Sequence, residues 1–274
     1  MERSTVPPDP TADNRIDTAL ADQPPGLWPF LPAGYPDLQT TAALLKALDT
    51  LPIRGVELGI PFSDPIADGP VIQRAFSDAL AGGLRLVEVF QMVSSLRQEI
   101  RYPLLAMVSA SIVYRVGIQT FVEKSRVAGF DGLIVPDISL EEAPRLAEVV
   151  GAVGLRLSML IAPTTPSDRR ERIARVSSGF LYYVSVQGTT GARAQLPADL
   201  EPNVRELKAA TGSPVLVGFG ISKPSQVREV CGYADGAITG SAIVRRITDL
   251  EEKGGHGSDV VAEVAAFVRE LAEV

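Results

Sequence analysis

Histidine and cysteine are almost missing from this 274-residue chain, which has one of each. Cys231 alone permits no internal disulfide and excludes the cysteine-rich zinc frameworks. His256 sits in the polar run Lys253-Gly-Gly-His-Gly-Ser258 and reads as a loop residue. A Ser-His-Asp triad or a multi-histidine metal centre would have to be assembled around it. If the protein is an enzyme, its proton transfers fall to carboxylates, lysines or tyrosines. Lysines are few as well. Lys46, Lys124, Lys208, Lys223 and Lys253 all fall in or beside helical patterns, so the strand-end lysine of a Schiff-base enzyme is lacking.

A basic excess is also absent. Lys and Arg number 26 against 33 Asp and Glu, a net charge of −7, so binding driven by a nucleic-acid phosphate backbone is not expected. No uncharged apolar run approaches the roughly 20 residues that span a bilayer. The first 26 residues are rich in Pro, Asp and Ala and lack a basic segment followed by an apolar one. A secretory signal is therefore not expected, and the cytoplasm is the expected location.

What the chain does have is a rhythm. After a head over residues 1–13, Asn14 is a plausible N-cap for a short helix ending at Ala21. Eight apolar strand candidates follow: 27–31, 55–59, 103–109, 132–136, 155–161, 180–186, 215–219 and 236–239. They are continuous rather than alternating runs, as strands buried on both faces should be. Helical patterns lie between them at 41–48, 71–81 with 87–99, 118–127, 141–150, 167–176, 204–210, 225–231 and 258–272. The reading is a single (β/α)8 TIM barrel over residues 14–274 with an additional N-terminal helix. A doubly wound sheet is the alternative; the count of eight and the length favour closure.

In a barrel of this kind the chemistry gathers at the C-terminal ends of the strands. Two clusters lie there. The first is Val56-Glu-Leu-Gly-Ile-Pro-Phe-Ser-Asp-Pro-Ile-Ala-Asp-Gly-Pro70. If Val56 and Leu58 face the helices, the two-residue period turns Glu57 into the barrel. Burial there would raise its pKa and suit it to general acid and base work; a structural carboxylate bonding loop amides is the other reading. Asp64 and Asp68 occupy the loop that follows. Either could simply brace a turn, but a carboxylate on an active-site loop could also accept a second proton.

The second cluster spans the last three strands: Gly188-Thr-Thr-Gly191, Gly218-Phe-Gly-Ile-Ser222, and Gly240-Ser241, which opens a short helix. Glycine amides and a helix N-terminus after strands seven and eight would make a phosphate cradle; tight turns alone are the plainer reading. With no metal-ligand set evident, the combination points to a phosphorylated substrate handled by two carboxylates without a cofactor.

These motifs resemble the tryptophan synthase α subunit family. The matching segments are residues 57–70 with Ile72-Gln73 after them, Ile134-Val-Pro-Asp137, Gly188-Thr-Thr-Gly191, Val217-Gly-Phe-Gly-Ile-Ser222 and Gly240-Ser-Ala-Ile-Val244. They appear in family order over about residues 14–272. The resemblance implies a barrel that cleaves indole-3-glycerol phosphate to indole and glyceraldehyde 3-phosphate. It also implies a pyridoxal-phosphate β subunit as partner, in an α2β2 heterotetramer, receiving indole through a tunnel. Position by position, it implies that Glu57 protonates indole C3 and accepts the glycerol hydroxyl proton, while Asp68 takes the indole N–H proton. Tyr182 would line the site near Glu57, with Phe30 and Phe219 packing on the indole. Gly191, Gly220, Gly240 and Ser241 would cradle the phosphate, Thr190 would sit in a closing loop, and Pro61 and Asp64 would face the β subunit.

There are departures from the family pattern. Where the family usually has a tyrosine and then an asparagine after strand three, this chain reads Met107-Val-Ser-Ala-Ser111; Pro32 replaces a common threonine, and the head is longer. The altered strand-three end puts substrate packing and intersubunit signalling in question. It leaves open a partner-regulating subunit with little catalysis of its own, and a lyase that works alone.

Overall fold

Valine, leucine and isoleucine dominate short segments that are buried on both faces, and these segments become the strands. The structure, a computed structural model, describes residues 14–65, 68–184, 195–218 and 220–273. Its elements run α1 (Arg15–Ala21), β1 (Gly26–Pro32), α2 (Leu38–Leu48), β2 (Val56–Gly59), α3 (Pro70–Ala81), α4 (Leu86–Leu96), β3 (Leu104–Met107), α5 (Ala110–Val116), α6 (Ile118–Ala128) and β4 (Gly132–Ile134). They continue α7 (Ala143–Ala152), β5 (Arg156–Ile161), α8 (Ser167–Val176), β6 (Leu181–Val184), α9 (Leu200–Thr211), β7 (Val215–Gly218), α10 (Pro224–Cys231), β8 (Gly236–Thr239), α11 (Ser241–Glu252) and α12 (Ser258–Ala272). The eight strands are parallel, pair in sequence order and close into the expected (β/α)8 barrel. The head, residues 1–13, lies outside the described residues.

Strand register divides the side chains into two layers. Phe30 pairs with Glu57, Glu57 with Leu105, Met107 with Ile134, and Tyr182 with Leu216. Trp28, Leu105, Ile134, Phe180, Tyr182, Leu216 and Ile238 form one cluster in the barrel interior. Val56, Leu58, Leu104, Ala106, Val215 and Val217 belong to the larger core between barrel and helices. Successive strand residues alternate between the two layers. Val56 and Leu58 therefore face the helices and Glu57 turns inward, as the two-residue period predicts.

The lower end of the barrel is plugged by α1. Asn14 caps it as expected: its Oδ1 accepts from the Ile16 amide at 2.9 Å, while its Nδ2 donates to the carbonyls of Asp131 (2.8 Å) and Gly154 (2.9 Å). Ile16 and Ala19 then join the interior cluster. Beside them Asp131, buried, accepts from the Leu104 amide (2.8 Å), from Arg15 (2.9 Å) and from the buried Arg97 (3.4 Å). Removing one partner of a buried ion pair strands the other charge and costs about 3–5 kcal/mol. Asp131→Ala is expected to lose stability on that scale in urea unfolding, whereas the exposed pair Arg205–Glu201 contributes under about 1 kcal/mol.

Most predicted elements lie within a few residues of the observed ones. Two differ in kind. The strand expected over 103–109 stops at Met107, and residues 110–116, given no helix from the sequence, form α5. Ser109 caps that helix, its Oγ accepting from the Ser111 amide at 3.2 Å. A long-range contact supports the start: Asp137 Oδ1 accepts from the Ala110 amide at 2.8 Å, and its Oδ2 accepts from Ser109 Oγ at 2.7 Å. The short helix expected after Gly240 is α11, of 12 residues. His256 falls in the loop between α11 and α12 and its side chain is exposed, as its polar surroundings implied.

Candidate active site

Glu57 is the anomaly around which the site is built. A glutamate surrounded by Val56 and Leu58 cannot avoid burial once β2 is central in a closed sheet, and its side chain is fully buried. Neither carboxyl oxygen has a hydrogen-bond partner among the described residues. This excludes the alternative of a structural carboxylate that braces loop amides. Burial without compensation disfavours the charged form, so its pKa lies well above the ordinary glutamate value.

Asp68 closes over the same space from the loop between β2 and α3. That loop is pinned at both ends: Phe62 packs on Phe76 of α3 with ring centroids 6.0 Å apart, and the Asp68 amide donates to the Pro65 carbonyl at 3.0 Å. Partial burial raises the Asp68 pKa to about 6. Tyr182, on β6, faces both acids. Its phenol is buried and its pKa is driven up, first by desolvation and then by the negative charges of Glu57 and Asp68. Three titratable groups from β2, the loop after it and β6 thus share one low-dielectric space.

Phe30 connects this acid end to the upper rim of β8. It is the register partner of Glu57. A Cβ added to Gly240 would come within 3.2 Å of the Phe30 Cβ, so glycine there lets β8 close against the ring. On the rim, β7 and β8 pair as neighbours, and their following turns leave the sheet side by side. Gly220 has φ +83°, a conformation that side chains other than glycine seldom adopt. Gly240 precedes α11, whose first residue is Ser241, and the first-turn amides there face the rim with the positive end of the helix dipole. Lys223, exposed, precedes α10 immediately beyond this turn.

The structure therefore brings together Glu57, Asp68, Tyr182 and Phe30 below and Gly220, Gly240 and Ser241 above. Thr190, Gly191 and Phe219 lie outside the described residues. Of the two residues expected to face a partner, Asp64 is exposed and accepts from Ser63 Oγ at 2.5 Å, while Pro61 is buried in the isolated chain. Sequence reading gave no role to Asp137, which anchors Ser109 and Ala110 at the strand-three end. Its position just past a strand end was the available signal. The serine at 109 thus spends its hydroxyl on Asp137, with Ser111 Oγ 2.8 Å away, rather than on the barrel interior.

With this geometry in view, the likeness to known proteins becomes specific. The family model described as tryptophan synthase alpha chain matches residues 16–274. The chain belongs to this family. It is 46% identical over 238 residues to the tryptophan synthase alpha chain of Prochlorococcus marinus (strain MIT 9313), covering 86% of both chains. It is 47% identical over 246 residues to that of Synechococcus sp. (strain CC9902), covering 89% of this chain and 90% of the relative. Among solved structures, the tryptophan synthase complex from Pyrococcus furiosus superposes with a TM-score of 0.81 at 34% identity, over 90% of this chain and 97% of that one. A structure from Aquifex aeolicus VF5 gives a TM-score of 0.84 at 33% identity, over 94% and 98%. Membership makes the chain a lyase of tryptophan biosynthesis, and implies indole-3-glycerol phosphate as substrate and a β subunit as partner. No single helix among the described residues is long and apolar enough to cross a membrane.

Proposed function

We propose that this chain cleaves indole-3-glycerol phosphate by general acid and base catalysis between Glu57 and Asp68. The observation that carries the reading is the pair of unlike carboxyl groups: Glu57 buried without a partner and Asp68 titrating near 6. Burial holds the proton on Glu57 far more firmly than on Asp68, so the first is suited to act as the acid and the second as the base.

The steps follow from that difference. Asp68 takes the indole N–H proton while Glu57 protonates C3, leaving the indolenine tautomer with a C=N bond at N1. Glu57, now ionised in a dry site, accepts the proton of the glycerol hydroxyl. The bond from C3 to the glycerol carbon breaks and its electrons restore the C2–C3 double bond. The C=N electrons move to N1, which recovers its proton from Asp68. Indole and glyceraldehyde 3-phosphate result, with both carboxyl groups returned to their starting states. The C=N of the tautomer is the electron sink that a lysine or metal supplies in other retro-aldol enzymes. Tyr182 and Phe30 form the floor and wall of the indole site. Gly220, Gly240 and Ser241 hold the phosphate by backbone amides; for Gly191, Thr190 and Phe219 the family resemblance alone supports the roles of phosphate contact, closing-loop residue and indole packing.

The same proposal includes an α2β2 assembly with the β subunit over the Pro61–Asp64 rim, and a cytoplasmic location. The test is steady-state indole release from indole-3-glycerol phosphate, with and without a β subunit. Turnover is expected alone and faster with the partner. No turnover in either condition overturns the reading. Fast turnover with no gain on adding the partner would favour a lyase that works alone.

A further inference from the structure

Ile72-Gln73 belongs to the motif around Asp68, yet the chemistry above gives Gln73 nothing to do. The residue sits in the first turn of α3, its own amide donating to the Gly69 carbonyl at 3.0 Å. Its side chain turns back on the loop. Nε2 donates to the Asp68 carbonyl at 2.8 Å and to the Pro65 carbonyl at 3.1 Å. A primary amide nitrogen carries two N–H donors, and both are engaged.

The two acceptors bracket the loop at the point that matters. The Pro65 carbonyl already receives the Asp68 amide at 3.0 Å, so Gln73 closes a second ring over the same turn. Elsewhere the loop and α3 are held by apolar packing, with Phe76 buried and Phe62 against it. Phe76 thus anchors α3 apart from the Gln73 amide, and the backbone of Asp68 is tied to α3 through that amide. Asparagine is one methylene shorter, and glutamate would turn oxygens toward two carbonyl oxygens.

We propose that Gln73 is the positioning residue for Asp68, fixing through two backbone carbonyls where the Asp68 carboxylate meets the substrate. This rests on Asp68 acting as the base. A displacement of about 1 Å in a catalytic group costs on the order of 10²-fold in rate, so loosening this tie acts on the chemical step rather than on ground-state binding.

The test is a set of variants assayed with the β subunit present. Q73E should lower kcat by about 30- to 100-fold, with KM within about threefold of the parent and a melting temperature close to it. Q73M removes the donors without adding charge and serves if Q73E does not fold. D68N sets the reference. If Gln73 acts through Asp68, the double variant D68N/Q73E is no slower than D68N alone, because a tie to an absent base has nothing left to position. A Q73E rate within twofold of the parent, or additive losses in the double variant, overturns the proposal. An unimpaired D68N would instead overturn the role of Asp68 itself.

Discussion

Glu57→Gln should lower turnover by about 10³- to 10⁴-fold, the upper end of what one acid–base group contributes, because this side chain moves two protons in each cycle. The substitution is nearly isosteric, so substrate binding should change little, and the loss should appear in kcat and kcat/KM alike. The same variant should be more stable than the parent, in a pH-dependent way. The folded state raises the Glu57 pKa through burial, so it retains a proton that the unfolded chain releases. Parental stability therefore falls as pH rises through the ordinary carboxylate range and on to the folded pKa, then levels off. Glutamine carries no such penalty. The difference in melting temperature between variant and parent should be smallest near pH 4 and should grow toward neutrality. An enzyme that gains stability as it loses activity is the signature of a catalytic group kept in an unfavourable place. Loss of activity with loss of stability at every pH would mark Glu57 as structural.

Asp68→Asn should cost about 10²- to 10³-fold in kcat, less than Glu57→Gln, because Asp68 takes and returns a proton at the single atom N1 whereas Glu57 serves both C3 and the glycerol hydroxyl. Its distinguishing mark is in the pH profile. The parent requires Asp68 ionised, so activity should fall as pH drops through about 6, the value set by its partial burial. It also requires Glu57 protonated, which gives an alkaline limb above the raised Glu57 pKa. Among the described residues Tyr182 and Glu57 share the space with Asp68, so the limbs belong to the coupled set. In Asp68→Asn the acid limb near 6 should disappear while the alkaline limb remains. An acid limb that persists unchanged in this variant would show that another group is the base.

Much of this was legible from residues alone because a closed parallel barrel leaves strong marks. Runs such as Leu216–Val217 are apolar without alternation because both faces are buried, and Asn14 before Arg15–Ala21 carries its own cap. Glu57 stood out for a simple reason: a carboxylate between Val56 and Leu58 has no route to solvent. What could not be read were contacts between distant segments. The start of α5 carries a local cap at Ser109, but it is braced by Asp137, 27 positions away from Ala110, and the apolar run through Val108 read as a continuing strand. Pro61 reads as a rim residue next to exposed Ser63 and Asp64, yet the turn folds it inward. Gln73 matched a motif, but only the positions of the Pro65 and Asp68 carbonyls show what its amide is for.

The proposed chemistry depends on one physical difference between two carboxyl groups. It can be read directly by following the side-chain carboxyl ¹³C resonances of Glu57 and Asp68 against pH in the free protein, with Glu57→Gln and Asp68→Asn identifying the signals. The account predicts a Glu57 carboxyl with its midpoint well above the ordinary glutamate value and an Asp68 carboxyl with its midpoint near 6. Two carboxyl groups that both ionise at about 4, as unperturbed ones do, would contradict it.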